Sequence, residues 1–323
     1  MDSAQTELAN ARKVVSLLGA AEEGTELLIL HDIHTKQNVE LLVAAASEIG
    51  ASYNVMQMLA GGHHGRQLSS VVATAMKASE LVKAPARQNI AHTQARRDAQ
   101  LQGTRVICLP EADGDDFFLA PGWSADFIQL RPKIDALAAA LTQASIARVW
   151  SSFGTDVTMS IEGRMGRSLN GFANTQDIST GYCLEASIAP AEGTASGRLL
   201  VNASIPGVAL IETTPVEIVF EQGMAVEITG GPEAKKFRDL LASFDDPKVY
   251  NLGELGAGMN PMCSIYGTML SDESVWGGFQ LALGTSAYIG DTCKAAAHYG
   301  TVSTGTVLEL DGKRVFADDQ LLI

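Results

Sequence analysis

Four polar side chains in the second half of the chain are of types that carry acid–base or metal chemistry. Glu185, Glu254, Gln280 and His298 lie in or beside glycine-rich segments, such as "NLGELGAGMNP" around Glu254 and "AAAHYG" around His298. Glycine lets the backbone approach a ligand closely. A carboxylate in a partly desolvated cleft can act as general acid or base, and an imidazole beside it can activate water. Taken singly, each residue also has an ordinary explanation as a strand-edge carboxylate, a satisfied glutamine or a core histidine.

The first half offers three further candidates for contact with a substrate. His63 and His64 lie in the loop "GGHHG", directly after a predicted strand, where parallel sheets bind their ligands. Adjacent side chains diverge on an extended backbone, so we do not expect both to ligate one metal. Arg96, at helical spacing from His92, is suited to anchoring a substrate carboxylate. The alternatives are a solvated polar loop and an exposed helix face.

Composition limits the classes of partner. The chain has 323 residues, of which 46% are hydrophobic and 19% charged, as in a folded protein with room for two domains. A net charge of -14 argues against nucleic acid and anionic membrane surfaces as partners. No apolar stretch reaches the roughly 18 residues of a membrane span. Four scattered cysteines without a CxxC pair favour reduced thiols. We therefore expect a cytoplasmic protein with a small-molecule substrate.

The order of predicted elements indicates two domains that must position these residues. Residues 1–155 alternate helical and strand patterns, which predicts an α/β domain with a mostly parallel sheet. Residues 156–323 contain β-branched runs and glycine turns, which predict a mostly antiparallel α+β domain. Within it, Gln222–Gly223 and Asp311–Gly312 read as hairpin turns, and Pro232 opens a helix. We expect a ligand to bind in the cleft between the two domains.

Several long segments of the second half, taken in order, resemble a known enzyme family. They include "LEASIAPAEGTASGRLLVNASIPG", "GELGAGMNP", "ALGTSAYIGDT", "AAHYG" and "LDGKRV". They are similar to the family that contains 2,5-dihydroxypyridine 5,6-dioxygenase and the thermophilic leucyl aminopeptidases (aminopeptidase T). In the first half, "IAHTQARRDAQLQGTRVICLP" resembles the stretch before the family's central strand. The resemblance implies an α+β C-terminal domain of the aminopeptidase T type and assembly into a homo-oligomer.

The resemblance also implies functional residues. In the peptidase branch, two glutamates, a histidine, a tyrosine and a closing histidine-x-aspartate hold two metal ions. The glutamates fall on Glu185 and Glu254, and the closing histidine falls on His298. The tyrosine falls near Tyr288, one residue out of register. The dioxygenase branch holds iron through two histidines and the same aspartate.

Two of the ligands implied by the resemblance are replaced in this chain. Gln280 stands where the family has its first histidine, and Gly300 stands where it has the aspartate. A glutamine oxygen is a weak ligand for a transition ion, and glycine offers no side-chain ligand. The face of two histidines and one carboxylate used by ferrous oxygenases therefore cannot form from these positions. This loss disfavours both the dioxygenase and the two-metal aminopeptidase.

We therefore predict a hydrolase or ring-opening enzyme that acts on a small cyclic or heteroaromatic acid or amide by acid–base chemistry. Glu185, Glu254 and His298 are the predicted catalytic residues. Substrate contacts are expected from Gln280, Tyr288, Tyr299, His63, His64 and Arg96. No resident metal is expected, although a single divalent ion at the three catalytic residues stays open. Cys183 is expected to point to the opposite face of the strand from Glu185 and to belong to the core.

Two alternatives remain at this point. The first is a ferrous ring-cleaving dioxygenase that recruits ligands from elsewhere, such as His63, His64 or Asp291. The second is a non-catalytic family member that binds a small ligand or supports a partner.

Overall fold

The computed structural model describes residues 3–59, 62, 64–287, 289 and 292–323, and it divides into two compact units. The N-terminal unit contains the residues up to Ala125 together with Gly171–Cys183. The C-terminal unit contains Asp126–Asn170 and Leu184–Ile323. One unit holds a parallel sheet and the other holds antiparallel sheets, which confirms the predicted α/β and α+β classes.

The N-terminal unit is built on a four-stranded parallel sheet. Its strands are β1 (Glu26–His31), β2 (Ser52–Gln57), β3 (Leu81–Pro85) and β4 (Arg105–Leu109). The strand order is β2-β1-β3-β4, and every pairing is parallel. The inner strand β3 is buried along its whole length, whereas the edge strand β2 is mostly exposed. The short apolar runs seen in the sequence are thus the strands of a sheet interior.

Helix α1 precedes the first strand, and three further short helices connect the strands. They are α1 (Ser3–Arg12), α2 (Lys36–Glu48), α3 (Ser70–Lys77) and α4 (Gln94–Leu101). A π-helical segment, Lys13–Leu18, continues α1. Ser69 and Thr93 begin α3 and α4 by accepting hydrogen bonds from backbone N–H groups of the first turn. Across the described parts of both units, no helix has the length and apolar character needed to cross a membrane.

The C-terminal unit contains two eight-stranded sheets in which every strand pairing is antiparallel. Its helices are α5 (Phe127–Gln143), α6 (Pro232–Ala242) and α7 (Met269–Asp272). Its strands are β5 (Ile146–Trp150), β6 (Asp156–Ser160), β7 (Arg167–Leu169), β8 (Glu185–Ile188), β9 (Ser196–Val201), β10 (Ser204–Ile205), β11 (Ala209–Leu210), β12 (Val216–Glu221), β13 (Met224–Thr229), β14 (Leu252–Gly258), β15 (Phe279–Gly284), β16 (His298–Tyr299), β17 (Val302–Ser303), β18 (Val307–Leu310), β19 (Lys313–Ala317) and β20 (Gln320–Leu321).

One of these sheets carries the candidate catalytic residues, and we call it the site sheet. Its order is β11-β10-β17-β15-β14-β8-β7, with β16 paired to β15. The other sheet has the order β13-β12-β9-β6-β5-β18-β19-β20. Strands β8, β14 and β15 of the site sheet are buried throughout. Polar side chains on them are therefore held by packing on well-ordered strands.

The hairpin turns and the helix start predicted from the sequence are confirmed in the C-terminal unit. Gln222 and Gly223 join β12 to β13 with φ values of 47° and 77°. Asp311 and Gly312 join β18 to β19 with φ values of 49° and 78°. Two successive left-handed residues are what a tight two-residue hairpin requires. Pro232 is the first residue of α6, as predicted.

The division between the units differs from the predicted one at 155/156. Helix α5 belongs to the C-terminal unit, because the chain near β7 approaches it so closely that a Cβ on Gly166 would lie 2.1 Å from the Ala138 carbonyl oxygen. The segment Gly171–Cys183 returns to the N-terminal unit, where the Tyr182 ring lies 5.0 Å from the Trp123 ring. Composition changes near residue 155, but packing sets the division.

Lys83 is a buried cationic side chain in the middle of β3. It has no exposed surface, and its Nζ has no hydrogen-bond partner among the described residues. Burial, followed by the nearby charge of Arg105, lowers the pKa of Lys83 well below its usual value. The unfolded chain therefore binds the proton more tightly than the folded protein. Stability should rise as pH increases from the folded pKa toward the ordinary lysine value of 10.5.

Replacing Lys83 with methionine should stabilise the N-terminal unit. A buried donor without a partner costs about 1–3 kcal/mol, and methionine fills similar space without that cost. Denaturant unfolding at several pH values should show a higher free energy of unfolding for Lys83→Met and a flatter rise with alkaline pH. Lys36→Met, at an exposed position of α2, is the matched control and should leave the pH dependence unchanged. A destabilised Lys83→Met protein with the wild-type pH slope would contradict this explanation.

Candidate active site

A glycine on the central strand allows two polar side chains to meet inside the site sheet. Glu185 begins β8 and Gln280 lies on β15, and these strands flank β14. Gly256 of β14 pairs with Gln280. A Cβ on Gly256 would lie 2.2 Å from Glu185 Oε1 and 2.8 Å from Gln280 Cγ. Because that position is empty, Gln280 Nε2 donates a hydrogen bond of 2.8 Å to Glu185 Oε2.

The Glu185 carboxyl group is strongly biased toward its protonated form. Its side chain is 1% exposed, and its second oxygen, Oε1, has no hydrogen-bond partner among the described residues. Burial, followed by the charge of Glu254, raises the pKa of Glu185 well above its usual value. The hydrogen bonds from Gln280 and Ser187 act in the opposite direction and do not cancel this effect. A carboxyl group in this environment can hold a proton near neutral pH and donate it.

His298 and Glu254 form a hydrogen-bonded acid–base pair. His298 Nε2 lies 3.0 Å from Glu254 Oε2, and His298 Nδ1 lies 2.9 Å from the carbonyl oxygen of Thr285. Because a carbonyl only accepts, Nδ1 carries a hydrogen, and a proton must also lie between Nε2 and Oε2. Burial lowers the pKa of His298, but the hydrogen bond and charge of Glu254 outweigh it and raise that pKa overall. The pair therefore stores one proton beside Glu185.

A third carboxylate, which the sequence reading did not identify, reaches the site sheet. Glu273 follows α7, and its Oε1 lies 2.4 Å from the position of a Cβ on Gly300. Gln280 Oε1 lies 2.7 Å from the same position. Gly300 is the residue that stands where the resemblance places an aspartate. Nothing in "SDESVWGG" indicates this role, since only the fold brings Glu273 to Gly300.

Glu273 also lies near Glu185. Ligand atoms of these two carboxylates lie within 4.8 Å of each other. Cys183 is buried, as expected of a core residue. The predicted single-ion set of Glu185, Glu254 and His298 does not converge in this way.

The iron-binding face of the dioxygenase branch does not fit these residues. That face needs two imidazoles and a carboxylate. Gln280 supplies an amide and Gly300 supplies no side chain. Both ring nitrogens of His298 lie within hydrogen-bond distance of other groups, Glu254 and Thr285. The atoms near Gln280 that could ligate a metal ion are instead oxygens, which select different metal ions from those that imidazole nitrogens select.

Tyr299 lies next to His298 on β16, and its ring packs into an aromatic cluster. The ring centroid is 6.4 Å from that of Phe237 and 6.0 Å from that of Phe244. Burial raises the pKa of Tyr299. Since adjacent side chains on a strand point to opposite faces, the phenol is separated from the His298 imidazole. Its predicted contact with substrate stays a prediction.

Two of the predicted substrate-binding residues lie in the N-terminal unit. The Arg96 side chain is 3% exposed. It therefore does not lie on a solvated helix face, and its guanidinium group is not openly accessible to a substrate carboxylate. Its Nε donates to the Ala91 carbonyl at 2.8 Å, and its NH1 donates to Gln100 Oε1 at 2.6 Å. His64 Nδ1 accepts a hydrogen bond of 3.1 Å from the backbone N–H of Asn89. These bonds give both side chains a structural role. Predictions for His63, Tyr288 and Asp291 fall outside the described residues.

Comparison with known proteins gives a family match over almost the whole chain. A profile of the family described as NicX, 2,5-dihydroxypyridine 5,6-dioxygenase, matches residues 8–322. Among curated proteins, 2,5-dihydroxypyridine 5,6-dioxygenase of Pseudomonas putida is 27% identical over 109 residues. That alignment spans 31% of this chain and 31% of the relative.

Two solved structures share the fold over their full length. The 2,5-dihydroxypyridine dioxygenase of Pseudomonas putida superposes with a TM-score of 0.85 at 19% identity, covering 100% of this chain and 98% of the other. AmpT from Thermus thermophilus superposes with a TM-score of 0.66 at 15% identity, covering 99% of each chain. At sequence identities this low, the superpositions show a shared fold alone. They confirm the predicted aminopeptidase T type of the C-terminal part.

Adding a methyl group at Gly256 should displace Glu185. Gly256→Ala places a Cβ against Glu185 Oε1, and overpacking of this kind costs about 1–3 kcal/mol. Denaturant unfolding should show this loss in the wild-type background. Part of it should disappear in a Glu185→Ala background, where the carboxylate is absent and Gln280 Cγ still lies 2.8 Å from the new methyl group. Equal losses in the two backgrounds would show that the carboxylate does not occupy this position.

Removing the charge of Glu254 should lower the pKa of His298. Glu254→Gln takes away both the charge and the charge-assisted hydrogen bond that raise it. NMR titration of the imidazole should show the midpoint moving to lower pH, with the signal assigned through its loss in His298→Gln. Glu227→Gln, an exposed carboxylate of the same unit, is the control and should leave the midpoint unchanged. A midpoint that stays in place in Glu254→Gln would exclude the pair.

Proposed function

Because this chain belongs to the 2,5-dihydroxypyridine 5,6-dioxygenase family, we propose that it is an enzyme that opens the ring of a small hydroxylated heteroaromatic compound. The match over residues 8–322 confirms the resemblance first drawn from the motifs. The name of the curated relative supplies the substrate class, a ring that carries hydroxyl groups. We also propose that the protein forms a homo-oligomer and is located in the cytoplasm.

The observation that carries this proposal is the pair formed by His298 Nε2 and Glu254 Oε2 at 3.0 Å. A ring hydroxyl that loses its proton donates electron density into the ring, which prepares the ring for attack. A base for that proton must lie within hydrogen-bond reach and have a pKa near the working pH. The pair can take up that proton when the position between Nε2 and Oε2 has lost its own, and Glu254 raises the pKa of His298 by stabilising its protonated form. Its side chain is 13% exposed, which leaves part of it accessible to a ligand.

Glu185 supports the complementary step in this proposal. Burial favours its protonated form, so it can donate a proton to an oxygen that gains negative charge as the ring opens. Gln280 Nε2 holds one oxygen of Glu185 in place, which makes Gln280 a positioning residue. The site thus combines one group that takes up a proton with another that delivers one.

Two reaction types are compatible with ring opening. The comparisons support oxygen-dependent cleavage, the reaction named for the relatives, more strongly than the hydrolysis predicted from the sequence. Hydrolysis stays as the second candidate, because Gln280 and Gly300 stand where the family has an imidazole and a carboxylate. Proton transfer by the His298–Glu254 pair serves either reaction.

Isotope labelling of the product should identify the reaction. With 2,5-dihydroxypyridine or a hydroxypyridine carboxylic acid as substrate, mass spectrometry should detect a ring-opened product. Label from ¹⁸O-labelled dioxygen in that product, together with oxygen uptake, is the expected result. Label from ¹⁸O-labelled water under anaerobic conditions would select hydrolysis. No product from any compound of this class would contradict the proposal and favour a binding protein.

The catalytic role of the pair can be checked with variants in the same assay. His298→Gln should lower kcat by about 10²–10⁴-fold, the usual contribution of a positioned acid–base group. His34→Gln, at an exposed position of the N-terminal unit, is the matched control and should leave kcat unchanged. Equal activity in the two variants would remove His298 from the mechanism.

A further inference from the structure

Strand β2 forms an edge of the parallel sheet in the N-terminal unit. The Ser52 N–H donates to the Thr25 carbonyl at 3.0 Å, and the Met58 N–H donates to the His31 carbonyl at 2.7 Å. Both bonds run toward β1. Backbone groups of successive residues in a strand point to opposite sides, so every second residue of β2 directs its N–H and C=O away from β1. These outward residues are Tyr53, Val55 and Gln57.

The two edges of this sheet differ in how they are paired. The outward N–H and C=O groups of β2 have no hydrogen-bond partner in the part of the chain that the structure describes. At the opposite edge, the Cys108 N–H of β4 donates to the Ser179 carbonyl at 2.9 Å, and Val106 forms a bridge with Asn174. The chain therefore covers the β4 edge with its own residues and leaves the β2 edge open.

Strand β2 lacks the features that usually prevent an edge strand from pairing. Natural edge strands carry charged residues, proline or a bulge. The sequence "SYNVMQ" contains no charged residue and no proline, and its register with β1 runs without a break over all six residues. Tyr53 and Val55 are 38% and 45% exposed. A row of free donors and acceptors beside apolar side chains is a surface on which another strand can pair.

Charge favours a second copy of this chain as the partner. With a net charge of -14, two copies repel each other over much of their surface, whereas β2 brings no like charges together. A twofold axis places a strand antiparallel to its own copy, so the donors of one strand face the acceptors of the other. Because the β4 edge is already covered, this pairing closes at two copies and does not continue into a filament.

We propose that two copies of this chain associate through β2, which joins their four-stranded sheets into one sheet of eight strands. Ile33 and Leu59 add apolar surface beside this edge, because each lies two residues beyond the last paired residues, His31 and Gln57, and is well exposed. The proposal gives a surface to the homo-oligomer proposed above, and it does not depend on the ring-opening activity.

Sedimentation velocity tests the proposal through substitutions at one position. The wild-type protein should sediment as two chains. Val55→Lys places a positive charge on both facing strands, so it should raise the dissociation constant of the pair at least about 10-fold. Val55→Thr keeps a neutral, β-branched side chain and should sediment as the wild type does. Val226→Lys is the matched control on the edge strand β13, where Val226 is 54% exposed and Arg238 already donates to the Ile228 carbonyl.

Hydrogen exchange followed by mass spectrometry locates the contact. The amides of Tyr53, Val55 and Gln57 should exchange slowly in concentrated wild-type protein and faster after dilution or in Val55→Lys, because only the second copy protects them. Exchange of the β3 amides should stay unchanged, which shows that each chain remains folded.

Two results would overturn the proposal in different ways. A wild-type protein that is monomeric would exclude both this surface and the homo-oligomer. An assembly that persists in Val55→Lys, with the outward β2 amides in fast exchange, would exclude this surface alone. Neither result depends on turnover, so the ring-opening function is tested separately.

Discussion

One amide cannot donate to two carboxylates at once, and the candidate site depends on this constraint. Gln280 serves Glu185 and thereby presents its oxygen to the side on which Glu273 lies. Both Glu185 and Gln280 are buried, so water does not compensate the mismatch at low cost. The site therefore favours a proton on the Glu185 carboxyl group, because burial and the charge of Glu254 raise its pKa. Gln280 Oε1, beside it, has no hydrogen-bond partner among the described residues.

Two glycines make this arrangement sterically allowed. Gly256 leaves room on β14 for the Glu185 carboxylate to reach the Gln280 amide, and Gly300 leaves room for Glu273 beside the same amide. The rigid site sheet then fixes the distances, because its three central strands are buried throughout. His298 and Glu254 lie in the same sheet but form a separate hydrogen-bonded unit.

The sequence predicted what is local and what the motifs contain. The hairpin turns at Gln222–Gly223 and Asp311–Gly312 follow from the backbone preferences of these residues. Glu185 was identified as a site residue because it lies in a segment that resembles the family. Glu273 could not be predicted, because its position beside Gly300 depends on how α7 packs against the site sheet. The hydrogen bonds of Arg96 could not be predicted for a similar reason, since sequence spacing does not show that its Nε and NH1 donate to groups inside the N-terminal unit.

Infrared difference spectroscopy gives the most direct test of the central claim, which is that the buried Glu185 holds a proton inside the site sheet. The account predicts a protonated-carboxyl band near neutral pH that is absent from Glu185→Gln and present in the control Glu227→Gln. A wild-type spectrum without that band, or the same band in Glu185→Gln, would contradict it.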